Sequence, residues 1–242
     1  MGNSKQAIQL FLQKSCLGRH LLNGYRWMKN PEYMRLLRRT EKGFKNAGRQ
    51  AIERLVDIFE EQGIGYWLTF GTLLGAVREH RFLGHDDDID VAIFEEEFSD
   101  DLLETLLQAG FRLYRRIDIY SKRGEIPGFE VCLLYEHCLV DLFIFHKHAS
   151  QTDRIYTHDF VGNVIENGKT VMFKQPRRLW LPWTGIGRME MCGRLMNVPA
   201  NYEAYLSAHY GENFMIPDPL WTNLNLTHAE NIPDAVGIVT NY

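Results

Sequence analysis

The chain has 242 residues, of which 45% are hydrophobic and 24% charged, with a formal net charge of −4. This composition excludes a wholly disordered or collagen-like chain, and the length suffices for one or two domains with a sizeable core. No uncharged apolar run reaches the ~18 residues of a membrane span, and polar residues interrupt the N-terminal apolar positions. We therefore expect neither a spanning helix nor a signal peptide.

The charge is distributed unevenly along the chain. Residues 1–55 carry twelve Lys and Arg against three acids, a balance of +9, whereas the remainder carries −13. Apolar positions at helical spacing predict a basic helical arm over residues 1–42, broken at Asn30-Pro31, ahead of a catalytic domain over 43–242. We expect the arm either to contact a membrane surface or a partner, or to form ordinary helices packed on the catalytic body or on a second subunit. Because the body is acidic and no nucleic-acid-binding motif is present, no nucleic-acid partner is expected.

Within the body, the first predicted element is a helix over residues 43–62, whose apolar positions are spaced i, i+3, i+4, i+7 and which stops at Gly63. The later predicted elements are a strand at 66–70, a turn and short helix at 71–80, a strand at 89–94, a Ser99-capped helix ended by Gly110, strands at 111–120, 129–135, 139–145 and 154–160, a hairpin at 189–198 and a helix from Pro199 to Gly211. The tail from Pro217 is predicted to be loop. The sum is an α+β fold, with a mixed sheet and packed helices.

The cysteines indicate a reducing compartment. Cys16, Cys132, Cys138 and Cys192 show no CxxC spacing, and three of them have apolar neighbours. Reduced thiols in a cytosolic protein are therefore expected, rather than a disulfide framework or a zinc site.

Asp88 and Asp90 are the central feature of an acidic run that contains ten acids and no base between residues 86 and 104. They alternate with Ile89 and Val91, so in a strand both carboxylates project to one side, with Cα atoms about 6.5–7 Å apart. Carboxylates at that spacing repel each other unless a cation lies between them, and oxygen ligands suit Mg²⁺ or Mn²⁺. The alternative is a solvent-exposed acidic strand edge. A calcium-binding EF-hand does not fit, because Val91 stands where its loop needs glycine.

Asp141 lies inside the apolar run from Val140 to Phe145, where a carboxylate is costly to bury without a partner. It either pairs with an arginine or a backbone amide, or it completes a three-aspartate metal site. Upstream, Gly71 and Thr72 follow a strand and begin a short helix, whose backbone amides can hold a phosphate. Arg78, six residues further on, is expected to reach the same phosphate.

Three stretches together resemble the LicD family of the nucleotidyltransferase superfamily, which also contains the fukutin-type proteins. They are the segment from Phe70 to Arg78, the acidic stretch from Asp86 to Asp90, and the segment from Val140 to Phe143. A weaker match extends from residue 198 to 211, and the resemblance covers about residues 48–220. His85 departs from the family pattern, which usually has an aromatic residue there. The first 40 residues match no family that we can name.

The resemblance implies a nucleotidyltransferase fold and a metal-dependent transferase. Such an enzyme moves a phosphorylated small alcohol, phosphocholine from CDP-choline or a polyol phosphate, from a CDP-activated donor to a sugar hydroxyl of a cell-surface glycan, and CMP leaves. In bacteria this chemistry belongs to capsule or lipopolysaccharide biosynthesis. Acceptors on lipid carriers would place the protein in the cytoplasm, peripherally at the inner face of the membrane.

The resemblance also implies roles for individual residues. The catalytic and metal-binding residues are Asp88, Asp90 and Asp141, with Asp141 as either a ligand or the base that accepts the hydroxyl proton. The substrate-binding residues are Gly71, Thr72, Arg78, Asp86 and Asp87. A choline-type donor would need an aromatic pocket, for which the candidates are Trp180, Trp183 and Trp221.

Two further classes of function remain open at this stage. A nucleotidyltransferase of the same fold would add NMP to a small acceptor and release pyrophosphate. A non-catalytic scaffold of the same fold is the other alternative, although decay of the site should first remove the costly aspartates, and all three are present.

Overall fold

The computed structural model describes residues 31–121, 128–167, 170–218, 221–223 and 226–242. Most of the predicted basic arm, together with Cys16, therefore lies outside the described residues. Within these ranges the helices are α1 (Pro31–Gln62), α2 (Phe70–Glu79), α3 (Asp100–Gln108) and α4 (Tyr202–Tyr210), with a 3₁₀ turn at Glu95–Glu97. The strands are β1 (Tyr66–Leu68), β2 (Asp88–Phe94), β3 (Arg112–Ser121), β4 (Phe129–Tyr135), β5 (Cys138–His148), β6 (Gln151–Asn167), β7 (Thr170–Pro182), β8 (Ile186–Met191), β9 (Arg194–Pro199), β10 (Ala229–Asn231) and β11 (Ala235–Asn241). The predicted α+β class is confirmed.

Helix α1 is described from Pro31 onward and runs without interruption through the predicted boundary at residues 42–43. Its inner face from Phe44 to Phe59 is buried and contacts β5 and β2. At Gly43 the helix passes so close to the turn between β4 and β5 that an added Cβ would lie 2.3 Å from the backbone of His137. This close approach leaves room for no side chain at residue 43. It ends at Gly63, which has a positive φ of 70°.

Nine strands form one sheet, in the order β1-β2-β5-β4-β3-β11-β7-β10, with β6 paired to both β5 and β7. The pairings from β5 through β4, β3, β11, β7 and β6 back to β5 therefore close a ring. The separate hairpin of β8 and β9 turns at Cys192-Gly193, close to the predicted position. The predicted loop after Pro217 is wrong in part, because β11 is a ring strand between β3 and β7. The strand β7 was also missed by the sequence analysis.

The strands β2 and β5 position the predicted acidic residues. Among the strands that the structure describes they are the one parallel pair, and Asp90 lies opposite Asp141 in their register. Helix α2 follows β1 after the single residue Thr69. Thr69 is extended, with φ of −131° and ψ of 174°, and precedes the first helical turn. Helix α3 begins as predicted, because the hydroxyl oxygen of Ser99 accepts a hydrogen bond from the backbone N–H of Leu102 at 3.1 Å.

Candidate active site

The carboxylates of Asp88, Asp90 and Asp141 form a cluster on the parallel strands β2 and β5. Asp88 lies two residues before Asp90 and Asp141 lies opposite Asp90, so all three side chains project to the same side of the sheet. One carboxylate oxygen of each residue lies within 4.8 Å of the others. Asp90 and Asp141 are buried, at 9% and 7% exposure. The structure thus brings together the three carboxylates that the sequence analysis selected.

The first turn of α2 holds Asp90 in place. The backbone N–H groups of Gly71 and Thr72 donate to Asp90 Oδ2 at 2.8 and 3.4 Å, and the N–H of Asp90 donates to Thr72 Oγ1 at 2.8 Å. A Cβ at Gly71 would lie 3.0 Å from the same carboxylate oxygen, so a side chain there would crowd the cluster. The predicted phosphate cradle therefore binds a carboxylate in this structure. Phosphate binding by Gly71 and Thr72 stays a prediction.

Burial and mutual repulsion make full ionisation of the cluster unfavourable. Burial, followed by the negative charge of Asp141, raises the pKa of Asp88 to about 7. Burial and then the charge of Asp88 raise the pKa of Asp90 well above its usual value, against the opposing hydrogen bonds from Thr72 and Gly71. A divalent cation would offset this repulsion, and three carboxylate oxygens are ligands typical of Mg²⁺ and Mn²⁺. The residues present therefore fit such an ion.

Asp141 also has a cationic partner that the sequence analysis did not identify. Arg115 on β3 donates from Nη2 to Asp141 Oδ1 and Oδ2 at 3.3 and 3.2 Å, and to Oε1 of Glu130 on β4 at 3.4 Å. Glu130 is buried, and burial, followed by the charge of Asp141, raises its pKa to about 8. Both sequence hypotheses for Asp141 therefore describe part of its surroundings, since it pairs with an arginine and also belongs to the cluster. The available signal was Glu130, the one charged residue of β4, together with the aspartate inside the apolar run from Val140 to Phe145 of β5.

Asp86 and Asp87, predicted to contact substrate, lie on the turn that leads into β2. Asp86 Oδ2 accepts a hydrogen bond from the backbone N–H of Leu83 at 2.7 Å, which closes that turn. Burial raises the pKa of Asp86 to about 6, against the opposing hydrogen bond from Leu83. Asp87 is exposed, and its charge adds to those that raise the pKa of Asp88. Asp86 thus closes the turn before β2, and Asp87 adds negative charge near the cluster. Contact of either residue with substrate stays a prediction.

Known proteins share this arrangement at the level of sequence. A family model described as LicD/FKTN/FKRP, nucleotidyltransferase domain, matches residues 63–201, which include all three aspartates and the first turn of α2. The chain belongs to this family. The resemblance to LicD and fukutin-type proteins inferred from the sequence is confirmed.

Relatives of this LicD-family chain include two human proteins. Human ribitol-5-phosphate transferase FKTN is 23% identical over 178 residues, which cover 74% of this chain and 35% of the relative. Human ribitol 5-phosphate transferase FKRP is 26% identical over 199 residues, which cover 80% and 38%. An uncharacterized protein of Rickettsia typhi is 34% identical over 110 residues, which cover 43% and 31%. The chain thus spans about a third of the length of these relatives.

In this LicD-family chain, Arg78 contacts the segment that follows α4. Its guanidinium Nη2 donates to the backbone carbonyls of Phe214 and Ile216, the second at 3.2 Å. These contacts join α2 to the segment that follows α4, and between them lies a cavity of about 1040 Å³. Arg78 and the exposed His85 both line this cavity. Phosphate binding by Arg78 stays a prediction.

The three tryptophans considered for a choline pocket lie in different places. Trp183 packs against the core residue Trp67, with ring centroids 4.6 Å apart. Trp180 donates to Glu230 at 3.0 Å and lines another cavity. Trp221 lines the cavity beside Arg78, so it alone of the three lies beside residues of the candidate site.

The remaining sequence expectations concern thiols and membrane spans. Cys132, Cys138 and Cys192 are free thiols, as predicted for the part of the chain that the structure describes. No helix within the described ranges combines the length and apolar character needed to cross a membrane.

Proposed function

We propose that this chain transfers a phosphorylated polyol, with ribitol 5-phosphate as the first candidate, from a CDP-linked donor to a sugar hydroxyl of a glycan. CMP is the leaving group. The observation that carries the proposal is the cluster of Asp88, Asp90 and Asp141, whose oxygens lie within 4.8 Å of one another. The names of the human relatives, which are ribitol phosphate transferases, support a polyol over phosphocholine as the transferred group.

In the proposed reaction the acceptor hydroxyl oxygen forms a bond to the phosphorus of the transferred group, and the bond from that phosphorus to the CMP oxygen breaks. Asp88, Asp90 and Asp141 would hold Mg²⁺ or Mn²⁺, which neutralises charge on the diphosphate when bound. In the alternative that Asp88 and Asp90 alone hold the ion, Asp141 is the base that accepts the hydroxyl proton. Gly71 and Thr72 keep Asp90 oriented through their hydrogen bonds to its carboxylate.

Arg115 maintains the electrostatic balance of the site. Asp141 is a buried carboxylate beside those of Asp88 and Asp90. Arg115 supplies a positive charge next to it, with Nη2 at 3.2 Å from Asp141 Oδ2. The pair keeps a carboxylate available for metal or proton in a buried strand, where it would otherwise be costly. We propose Arg115 as a positioning residue for Asp141.

The function is tested by product analysis with the full chain. CDP-ribitol, CDP-choline or CTP is incubated with Mg²⁺ or Mn²⁺ and a set of glycoside acceptors, and CMP and pyrophosphate are quantified separately. We expect CMP release that depends on the CDP-linked donor and the metal, with the polyol phosphate recovered on a glycoside. Asp88→Asn should abolish this release, and Asp153→Asn, an aspartate whose side chain is 80% exposed, serves as the matched control.

Each other outcome identifies a different function. Pyrophosphate release from CTP, with NMP on the acceptor, would favour nucleotidyl transfer. Transfer from CDP-choline alone would replace the polyol with phosphocholine. CMP release that persists in Asp88→Asn or in excess chelator would refute the metal mechanism, and a lack of turnover with every donor would favour a scaffold. Capsule or lipopolysaccharide biosynthesis, cytoplasmic location and a lipid-linked acceptor stay predictions.

A further inference from the structure

A cavity of about 1040 Å³ lies beside helix α2, the helix whose first turn holds Asp90 of the cluster. Leu74 and Arg78 line it, one and two turns beyond Gly71, whose N–H holds Asp90. His85, which directly precedes Asp86, lines the same cavity. Burial and then the charges of Asp90 and Asp86 raise the pKa of Tyr210, another lining residue, well above its usual value. The cavity therefore lies within electrostatic range of the cluster.

The wall of the cavity that contains Tyr210 and Trp221 is aromatic. The indole of Trp221 packs against Tyr210 with ring centroids 4.7 Å apart and against His209 at 5.2 Å, and 37% of the residue remains exposed. Arg78 holds the adjoining segment by donating to the carbonyls of Phe214 and Ile216. The indole of Trp221 is thus packed against two aromatic rings and remains partly accessible to a ligand in the cavity.

The charges of the lining disfavour an anionic ligand. Arg78 is the one Lys or Arg among the lining residues, and its guanidinium already donates to two carbonyls. The other charged or ionisable side chains of the lining, apart from Tyr210, are His85, Glu212 and Asp218. A diphosphate would be repelled by Glu212 and Asp218, whereas hydroxyl groups can donate to the same two carboxylates.

The volume disfavours a site for a small cation. An aromatic cage binds a quaternary ammonium by surrounding it at close range. This cavity is at or above the ~300–1,000 Å³ usual for small-molecule sites. A sugar ring matches it better, because the C–H face of the ring packs on an indole while its hydroxyls reach polar groups at the edge.

We infer that this cavity is the acceptor site, where a neutral saccharide packs a ring on Trp221 and directs a hydroxyl toward the aspartate cluster. The inference rests on the proposed transfer to a glycan and adds the location and chemical class of the acceptor. Arg78 is then a positioning residue that holds the wall of the acceptor site. The donor diphosphate belongs at the cluster and the cavity beside it takes the sugar.

The inference is tested by binding, without turnover, in the full chain with Mg²⁺ and CMP. Methyl glycosides of glucose, galactose, mannose, N-acetylglucosamine and N-acetylgalactosamine are added at millimolar concentrations, and the tryptophan indole N–H signals are followed by NMR. Trp221→Phe assigns the signal of Trp221 by its disappearance. We expect at least one glycoside to shift the Trp221 signal and leave that of Trp180 in place.

Affinities of variants then separate packing on the indole from other binding. The dissociation constant of the best glycoside should rise at least about tenfold in Trp221→Ala, or ~1.4 kcal/mol. Trp221→Phe should retain part of the affinity, and Trp180→Ala should bind like the original chain. The melting temperature of each variant reports on folding, and the indole shift in the unmodified chain does not depend on any variant folding.

Several results would overturn the acceptor site. They are no glycoside binding, binding that shifts only Trp180, unchanged affinity in Trp221→Ala, or displacement of the Trp221 signal by choline while no glycoside acts. The turnover assay is independent of this test. Glycoside binding at Trp221 without CMP release from any donor would refute the proposed function alone, and CMP release without such binding would refute the acceptor site alone.

Discussion

Replacing Asp88 by asparagine should stabilise the metal-free protein. The pKa of Asp88 rises from 3.8 to about 7 in the folded chain, so its ionised form is disfavoured there by roughly 4 kcal/mol. Asparagine has nearly the same shape without the charge. At pH 8 and without metal, we expect the free energy of unfolding of the variant to be about 1–3 kcal/mol higher than that of the original chain. The gain is smaller than the full cost of the charge because the amide remains partly buried. At about 2–4 °C per kcal/mol for a chain of this size, the melting temperature should rise by about 2–12 °C.

Divalent metal should stabilise the original chain more than the Asp88→Asn variant. In Mg²⁺ at about 100 times its dissociation constant, a protein that binds the ion only when folded gains ~2.7 kcal/mol, a gain that Asp88→Asn should lack. Thermal unfolding of both proteins is measured in EDTA and in Mg²⁺, with Asp153→Asn, an exposed site, as the matched control. The control should stay within about 0.5 kcal/mol of the original chain in both conditions. A variant that melts below the original chain in EDTA, or that gains as much from Mg²⁺, would contradict the charge argument.

Three further predictions concern the neighbours of the cluster, pH and the arm. Arg115→Met should lower the free energy of unfolding in urea by about 3–5 kcal/mol, because it leaves Glu130 and Asp141 buried without a cation, and added Glu130→Gln should restore part of it; no loss would show that the pair is unimportant. Since the folded pKa of Asp88 lies above its unfolded value, the folded chain binds more protons. Burial lowers the pKa of His158, His209 and His228, which makes stability rise with pH over the same range, so the original chain is compared with Asp88→Asn. The stability of the original chain relative to this variant in EDTA should fall as pH rises from about 4 to about 7 and then level off, as calorimetry can check, while a rising difference would exclude this cause. Deletion of residues 1–40 should abolish salt-sensitive sedimentation with anionic liposomes if the arm contacts membranes, and a full chain that ignores such liposomes would make the arm structural.

The local features of the fold could be predicted because they depend on neighbouring residues. The alternation of Asp88 and Asp90 with Ile89 and Val91 is enough to place both carboxylates on one side of a strand. The strand Phe129–Tyr135 was predicted with its observed bounds from its apolar run. The three aspartates could be grouped because two lie in one strand and the third interrupts an equally apolar one.

The remaining features depend on partners that are distant in sequence. The strand Ala235–Asn241 contains Gly237 and ends in polar residues, and it is extended because β3 and β7 pair with it on both sides. The same holds for Arg78, whose acceptors lie 136 and 138 residues further along the chain. Its position after a glycine turn suggested phosphate, but the distant carbonyls are what it contacts. No local pattern contains that information.

The position of β5 in the sheet explains why Asp141 has two kinds of partner. β5 pairs in parallel with β2, which carries Asp88 and Asp90, and in antiparallel fashion with β4, which carries Glu130. Arg115 on β3 reaches across β4 to Asp141. The closed ring of strands therefore supplies both the third carboxylate of the cluster and its counter-ion. Because a shift of one residue between β4 and β5 would turn Asp141 to the other face, the register of the ring decides whether the cluster can form.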